Sequence, residues 1–213
     1  MLVQNSRIAR AQRPVLTPQL LIAAYSHGLF PMARSRGARG VEWYSPDPRA
    51  ILPLESFHVP RGLRNTLRKR PFEVRTDTAF ERVVEGCALP RAVQRQSWIN
   101  KPIRDAMAAL HTMGHAHSVE AWLDGRLVGG LYGASLGGAF FGESMFHRAD
   151  LGGTDASKVC LHHLVERMRA GGYKLLDIQL MSEHMKQFGA VEVSRAEYLL
   201  RLSDALGSPG RWG

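Results

Sequence analysis

Two short apolar runs, Ala139 to Phe146 and Leu175 to Leu180, flank an amphipathic stretch from about Asp155 to Ala170 that ends at Gly171-Gly172. This strand–helix–strand arrangement limits the chain to layered folds in which helices pack on a sheet. The helix presents Leu161, Leu164, Val165 and Met168 on one face. In the second run, period-two alternation predicts Asp177 and Gln179 on one face and Leu176, Ile178 and Leu180 on the other. The first run holds Glu143 among Phe140, Phe141, Met145 and Phe146. An unpartnered charge buried there costs several kcal/mol, on the order given for desolvated ions, so a partner or a ligand must meet it. Asp177, Gln179 and Glu143 are therefore the candidates for chemistry.

Upstream, Thr17-Pro18 forms a helix start and Gly28 a stop. Residues 30–49, with Phe30-Pro31 and the Ser45-Pro46-Asp47-Pro48 turn, read as loop, and Ala50 to Leu54 as a short strand. A basic helix runs from about Pro60 to Arg70, followed by a strand over Phe72 to Arg75. Thr78-Ala79-Phe80-Glu81 has the form of a capping box ahead of the stripe Phe80, Val83, Val84 and Cys87. Leu89 to Ser97 reads as a polar loop, and Asn100 caps a helix that Gly114 stops. Three strands, His117 to Trp122, Leu127 to Ser135 and Ala139 to Phe146, form a meander through the turns Asp124-Gly125 and Leu136-Gly137-Gly138. The helix, the Asp177 strand, a short helix near Glu183 to Phe188 and a strand or helix through Tyr198 to Leu202 complete the order. This is a mixed α/β (α+β) succession in the order of an acetyltransferase-like (GNAT-type) domain. The predicted division is a tail over 1–16, a small N-terminal domain over 17–60, the main domain over 61–206 and a tail over 207–213.

Charge divides along the same line. Residues 1–70 hold twelve Lys or Arg against three Asp or Glu, so the net +9 of the chain is carried entirely by its N-terminal third. Arg61, Arg64 and Arg68 recur at helical spacing, which points to a polyanion such as nucleic-acid phosphate. The competing reading is a solvated basic helix face. No apolar run reaches the length of a membrane span, and a protein without a membrane anchor in the cytoplasm is expected. Cys87 and Cys160 lie in helical patterns without ligand spacing and read as core. His115 and His117 lack a third ligand at suitable spacing, so no metal is expected. The glycine pairs lack the spacing of phosphate loops.

The segments Trp43 to Arg49, Trp98-Ile99, Gly114 to Glu120, Gly142 to Phe146, Ala156-Ser157-Lys158 and Asp177-Ile178-Gln179 occur together and in order. Over about residues 17 to 200 the chain thereby resembles the bacterial leucyl/phenylalanyl-tRNA–protein transferases. The resemblance implies transfer of Leu, Phe or, less readily, Met from aminoacyl-tRNA to the α-amine of proteins beginning with Arg or Lys, creating a signal for proteolysis. It implies a small N-terminal domain, an acetyltransferase-like domain, no cofactor, a monomer, and leucyl- and phenylalanyl-tRNA as partners, bound by acceptor stem and 3′ end. By the same carry-over Asp177 and Gln179 are the catalytic carboxylate and amide, and Glu143 contacts substrate. Phe140, Met145, Leu131, Leu161, Leu164 and Leu176 line the aminoacyl pocket, and Tyr44 and Trp98 meet the 3′-terminal adenosine. Arg61, Arg64 and Arg68 follow acceptor-stem phosphates.

Tyr44 stands where some members have Trp, and Ile178 where a small polar residue or Cys is usual. As Ile178 is expected to face away from Asp177, no loss of activity is expected from it. Two other readings compete. An acetyl-coenzyme A enzyme expects an Arg/Gln-x-x-Gly-x-Gly/Ala turn, which is missing from the sequence. An RNA-binding module would leave the carboxylates structural.

Overall fold

A computed structural model describes residues 15–89 and 97–213. The predicted N-terminal tail, except for its last two residues, and most of the predicted 89–97 loop lie outside the described residues.

The chain opens with helix α1 (Pro18–Ser26), whose start is fixed by the Thr17 side chain accepting from the Leu20 amide at 3.2 Å. Within the stretch read as loop, β1 (Phe30–Met32) and β2 (Glu42–Tyr44) pair as a small antiparallel ribbon. Three-residue strands bearing Pro31 carry too little periodicity to be seen in sequence. β3 (Arg49–Ile51), the basic helix α2 (Arg61–Lys69) and β4 (Glu73–Thr76) follow.

Helix α3 (Phe80–Ala88) starts without the expected capping box. The buried carboxylate of Glu120 takes that place: it accepts from the Thr78 and Ala79 amides at 2.9 and 2.7 Å and from the Thr78 hydroxyl. Asn100 caps α4 (Lys101–Thr112) by accepting from the Ile103 amide at 3.0 Å, as its position predicts. The meander is present as β5 (Ala116–Leu123), β6 (Arg126–Leu136) and β7 (Ala139–His147). Then come α5 (Ala156–Ala170), β8 (Leu175–Gln179), α6 (Glu183–Lys186), β9 (Val191–Val193) and α7 (Arg195–Leu206). The ambiguity at Tyr198 to Leu202 resolves as helix.

Seven strands form one sheet in the order β4-β5-β6-β7-β8-β3-β9, antiparallel except between β7 and β8. A meander leading into a helical crossover and one parallel pair is the arrangement that the predicted element order implied. β3 lies within this sheet between β8 and β9, so the sheet takes in a strand from before the division expected near residue 60.

Helices cover both faces. Tyr132, Phe141 and Leu175 pack with α1, α3, α4 and α7, whereas Leu131, Phe140 and Leu176 pack with α2, α5 and α6. Covering both faces explains why the strands read as nearly continuous apolar runs. Cys87 and Cys160 are buried thiols, one on each side of the sheet.

The residues after α7, read as a tail, dock against the main domain. The indole of Trp212 donates to Asp77 at 2.7 Å and stacks on His117 and Phe140. Arg167 lies over the Trp212 ring and donates to the carbonyl of Gly213 at 3.1 Å.

Candidate functional site

The parallel pair β7–β8 is short. Its register runs from Ala139 opposite Leu175 to Phe141 opposite Asp177 and goes no further, although both strands continue. Beyond that point β7 and β8 part, and a cavity of about 180 Å³ occupies the gap. Crevices at the carboxyl ends of parallel strands are recurrent ligand sites in αβ sheets. Leu131, Met145, Leu161, Leu164 and Leu176, which the family resemblance implies as pocket residues, line this one. Phe140 does not: it is wholly buried and stacks on Trp212 at 5.4 Å. Ile178, Leu180 and Met185 complete the apolar wall. Roughly 150 Å³ of aliphatic cavity holds a benzene ring, so this volume suits one Leu- or Phe-sized side chain.

A β-bulge aims Glu143. Tyr132 pairs with Ser144 and Gly133 with Gly142, which leaves Glu143 as the extra residue of β7. Gly133 is required at this step, since a Cβ there would lie 2.3 Å from the Phe141 carbonyl oxygen. Oε1 of Glu143 accepts from the Tyr25 hydroxyl at 2.8 Å. Oε2 has no hydrogen bond among the described residues, and the side chain borders the cavity. Desolvation, reinforced by the negative charge of Asp177, raises the Glu143 pKa to about 7, against the opposing pull of Tyr25 and Arg49.

Asp177 occupies a different environment. It is 0% exposed and faces the α1–α7 side of the sheet, where Arg49 grips it through Nε to Oδ1 at 3.0 Å and Nη2 to Oδ2 at 2.7 Å. Tyr198 donates to Oδ2 at 2.8 Å, and the Gln179 amide donates to Oδ1 at 2.9 Å. Four donors enclose the carboxylate, and it does not border the cavity. Gln179 does border it, with φ at +60°, a left-handed conformation that few residues other than glycine adopt. Strict alternation would have set Gln179 beside Asp177. The left-handed turn breaks the alternation, so Gln179 shares the cavity with Ile178 instead. Ile178, at which the departure from the family residue is expected to cost no activity, packs on the side of the sheet away from Asp177 and forms part of the cavity wall. The Gln179 Nε2 is buried without a hydrogen-bond partner among the described residues, an amide donor left for a ligand.

Arg49 and Tyr198, which complete the surroundings of Asp177, were not singled out from the sequence. Arg49 is 1% exposed and also donates to the Gly28 carbonyl at 2.8 Å, with its guanidinium between the Phe30 and Tyr198 rings. Its place in the Pro48-Arg49-Ala50 turn-to-strand junction carried no sign of this. The available signal was Asp177 itself, whose buried charge demands a cation.

A second recess of about 180 Å³ adjoins the first. It shares Glu143, Ile178, Gln179 and Leu180 and adds Phe30 and Met32 from β1 and Trp98 from the segment before α4. Tyr44 stacks on Phe30 at 6.0 Å between ring centroids, is 40% exposed, and donates from its hydroxyl to Glu42 at 2.9 Å. Trp98 thus borders this recess with the polar pair, and Tyr44 stands next to it, stacked on Phe30. Arg61, Arg64 and Arg68 are exposed on α2 and border a shallow surface groove with His162.

His115 and His117 do not come together as ligands. His117 instead joins Asp77 at 2.8 Å, with His111 nearby. The Asp77 oxygens are already occupied by the His117 ring, the Ser118 amide and the Trp212 indole. Although burial opposes it, His117 and the Ser118 amide hold the Asp77 pKa below its ordinary value.

The sequence profile of the leucyl/phenylalanyl-tRNA protein transferase family matches residues 51–203, and that of the family's N-terminal domain matches residues 15–47. A leucyl/phenylalanyl-tRNA–protein transferase of Paramagnetospirillum magneticum is 56% identical over 191 residues, 90% of each chain. One of Caulobacter vibrioides is 54% identical over 190 residues, covering 89% of this chain and 86% of that one.

Proposed function

The chain belongs to the leucyl/phenylalanyl-tRNA–protein transferase family, and from that membership we infer how its geometry serves the transfer. It is an aminoacyltransferase that moves a leucyl or phenylalanyl group from its ester on tRNA to the N-terminus of a protein. The observation that carries the reading is the cavity where β7 and β8 part, aliphatic within and bordered by Glu143 and Gln179.

In our reading the aliphatic cavity takes the aminoacyl side chain. Leu, Phe and Met are unbranched at Cβ and pass a narrow neck that Val and Ile do not, while apolar walls discriminate weakly among the three. The terminal adenosine lies in the aromatic recess, stacked against Trp98 and Tyr44 for about 1–3 kcal/mol per base, and α2 follows the acceptor-stem phosphates. The ester then lies between Glu143 and Gln179. The Nε2 of Gln179 donates to the ester carbonyl, where negative charge grows as the amine attacks. Asp177 acts as a positioning residue: it holds the Gln179 amide, and with it the left-handed turn, while Arg49 and Tyr198 hold Asp177. Acceptors beginning with Arg or Lys, a cytoplasmic setting and a monomeric enzyme complete the proposal.

The test is transfer of radiolabelled leucine from leucyl-tRNA to two peptides that differ only in beginning with Arg or Ala. Label on the Arg peptide alone is the expected result. Label on neither, with folded protein and intact leucyl-tRNA, would return the chain to an RNA-binding role.

A further inference from the structure

We propose that Glu143, through its free Oε2, is the group that takes the proton from the attacking α-amine, while Asp177 never meets a substrate. The inference deepens the function proposed above and rests on it. Asp177 has the chemistry of a base but not the access, being enclosed by Arg49, Tyr198 and the Gln179 amide on the far side of β8. Glu143 has both. The bulge in β7 sets it at the junction of the aliphatic cavity and the aromatic recess, the one carboxylate among the described residues that borders either.

The groups around Glu143 divide its two oxygens between anchoring and reaction. Tyr25 on α1 fixes Oε1, and burial keeps the Tyr25 hydroxyl a donor by raising its pKa, with the charge of Glu143 adding to the effect. Tyr132 on β6 borders the same cavity. Asp177 on β8 and Arg49 on β3 act on Glu143 in opposite directions through their charges. A carboxylate titrating near neutrality accepts a proton more readily than an ordinary one while staying substantially ionised, as a general base must.

The step balances without a further reactant. The acceptor arrives as an ammonium and gives one proton to Oε2; its freed lone pair attacks the ester carbonyl carbon. As the carbon–oxygen bond to the ribose breaks, the nitrogen loses a second proton and the ribose oxygen leaves as a hydroxyl. The proton on Glu143 passes to solvent, leaving an amide.

The experiment measures kcat and KM for an Arg-beginning peptide against pH, with leucyl-tRNA saturating, in wild type, Glu143→Gln and Glu143→Asp. A lost general base lowers kcat roughly 10²–10⁴-fold, so Glu143→Gln is expected to lose kcat on that scale with peptide KM held within threefold. Wild type should show an ionisation near 7 that Glu143→Gln lacks, distinct from that of the peptide's own amine. Glu143→Asp should restore part of kcat and the ionisation. A risen KM with intact kcat would reassign Glu143 to holding the ammonium and overturn the proposal, as would an unchanged kcat in Glu143→Gln. Thermal unfolding at each pH identifies a variant that fails to fold, and Glu143→Asp then carries the test. Wild-type activity on the Arg peptide separates failure of this proposal from failure of the transferase reading, which predicts that activity whatever Glu143 does.

Discussion

Arg49 carries more of the site than any residue singled out from sequence. It makes four hydrogen bonds, two to Asp177 and one each to Gly28 and Tyr198, and its guanidinium lies over the Phe30 and Tyr198 rings. Burying such a pair gains little net stability, but breaking it strands a charge, typically for about 3–5 kcal/mol. Arg49→Met is therefore expected to lower unfolding stability by about that amount, read from urea midpoints at constant slope, and to abolish transfer. Arg49→Lys, which cannot grip both carboxylate oxygens in the same plane, should lie between. A loss under about 1 kcal/mol for Arg49→Met would mean that the surroundings re-solvate Asp177 and that the pair is not what holds Gln179 in its turn.

Among the elements, legibility followed length and covering. β5 to β7, α4 and α5 were visible because long runs facing two helical layers, or Asn100 and a glycine stop, leave strong periodicity or capping signals. β1, β2 and β9 were not, since three residues show no period and their pairing is set by distant partners. The site divides similarly. Chemistry-bearing residues on long strands were found, whereas the bulge at Glu143 and the left-handed Gln179 are departures from alternation that no alternating pattern foretells. The basic helix α2 is an element whose role depends on its face acting as a unit. Replacing Arg61, Arg64 and Arg68 by Ala should weaken tRNA binding and make the slope of log K against log salt shallower by about 2 to 3, at roughly 0.9 per phosphate contact. Measured from 50 to 200 mM salt, an unchanged slope would leave the face merely solvated.

At the scale of the whole molecule, stability should depend on pH through Glu143. Its folded-state pKa of about 7 lies above the ordinary 4.5, so the folded protein binds more protons between those values. This contribution is fully present below about 4.5 and is lost as pH rises through 7, by up to about 3 kcal/mol for a shift of that size. Urea unfolding from pH 4.5 to 8 should show that decline in wild type and not in Glu143→Gln; parallel curves would place the proton elsewhere. Asp77, held below its ordinary pKa, slopes the opposite way, so the difference between the two curves is the quantity to read. The residues after α7 belong to the packed structure too. Gly213 and Trp212 are pinned by Arg167, Asp77 and the ring of Phe140, whose neighbours in the sheet form the cavity wall. A purification handle or fluorescent protein joined after Gly213 would pull on a plug set into the back of the catalytic sheet. The indole it disturbs is at the same time a built-in optical gauge: its emission should report whether the C-terminus is seated, without any label.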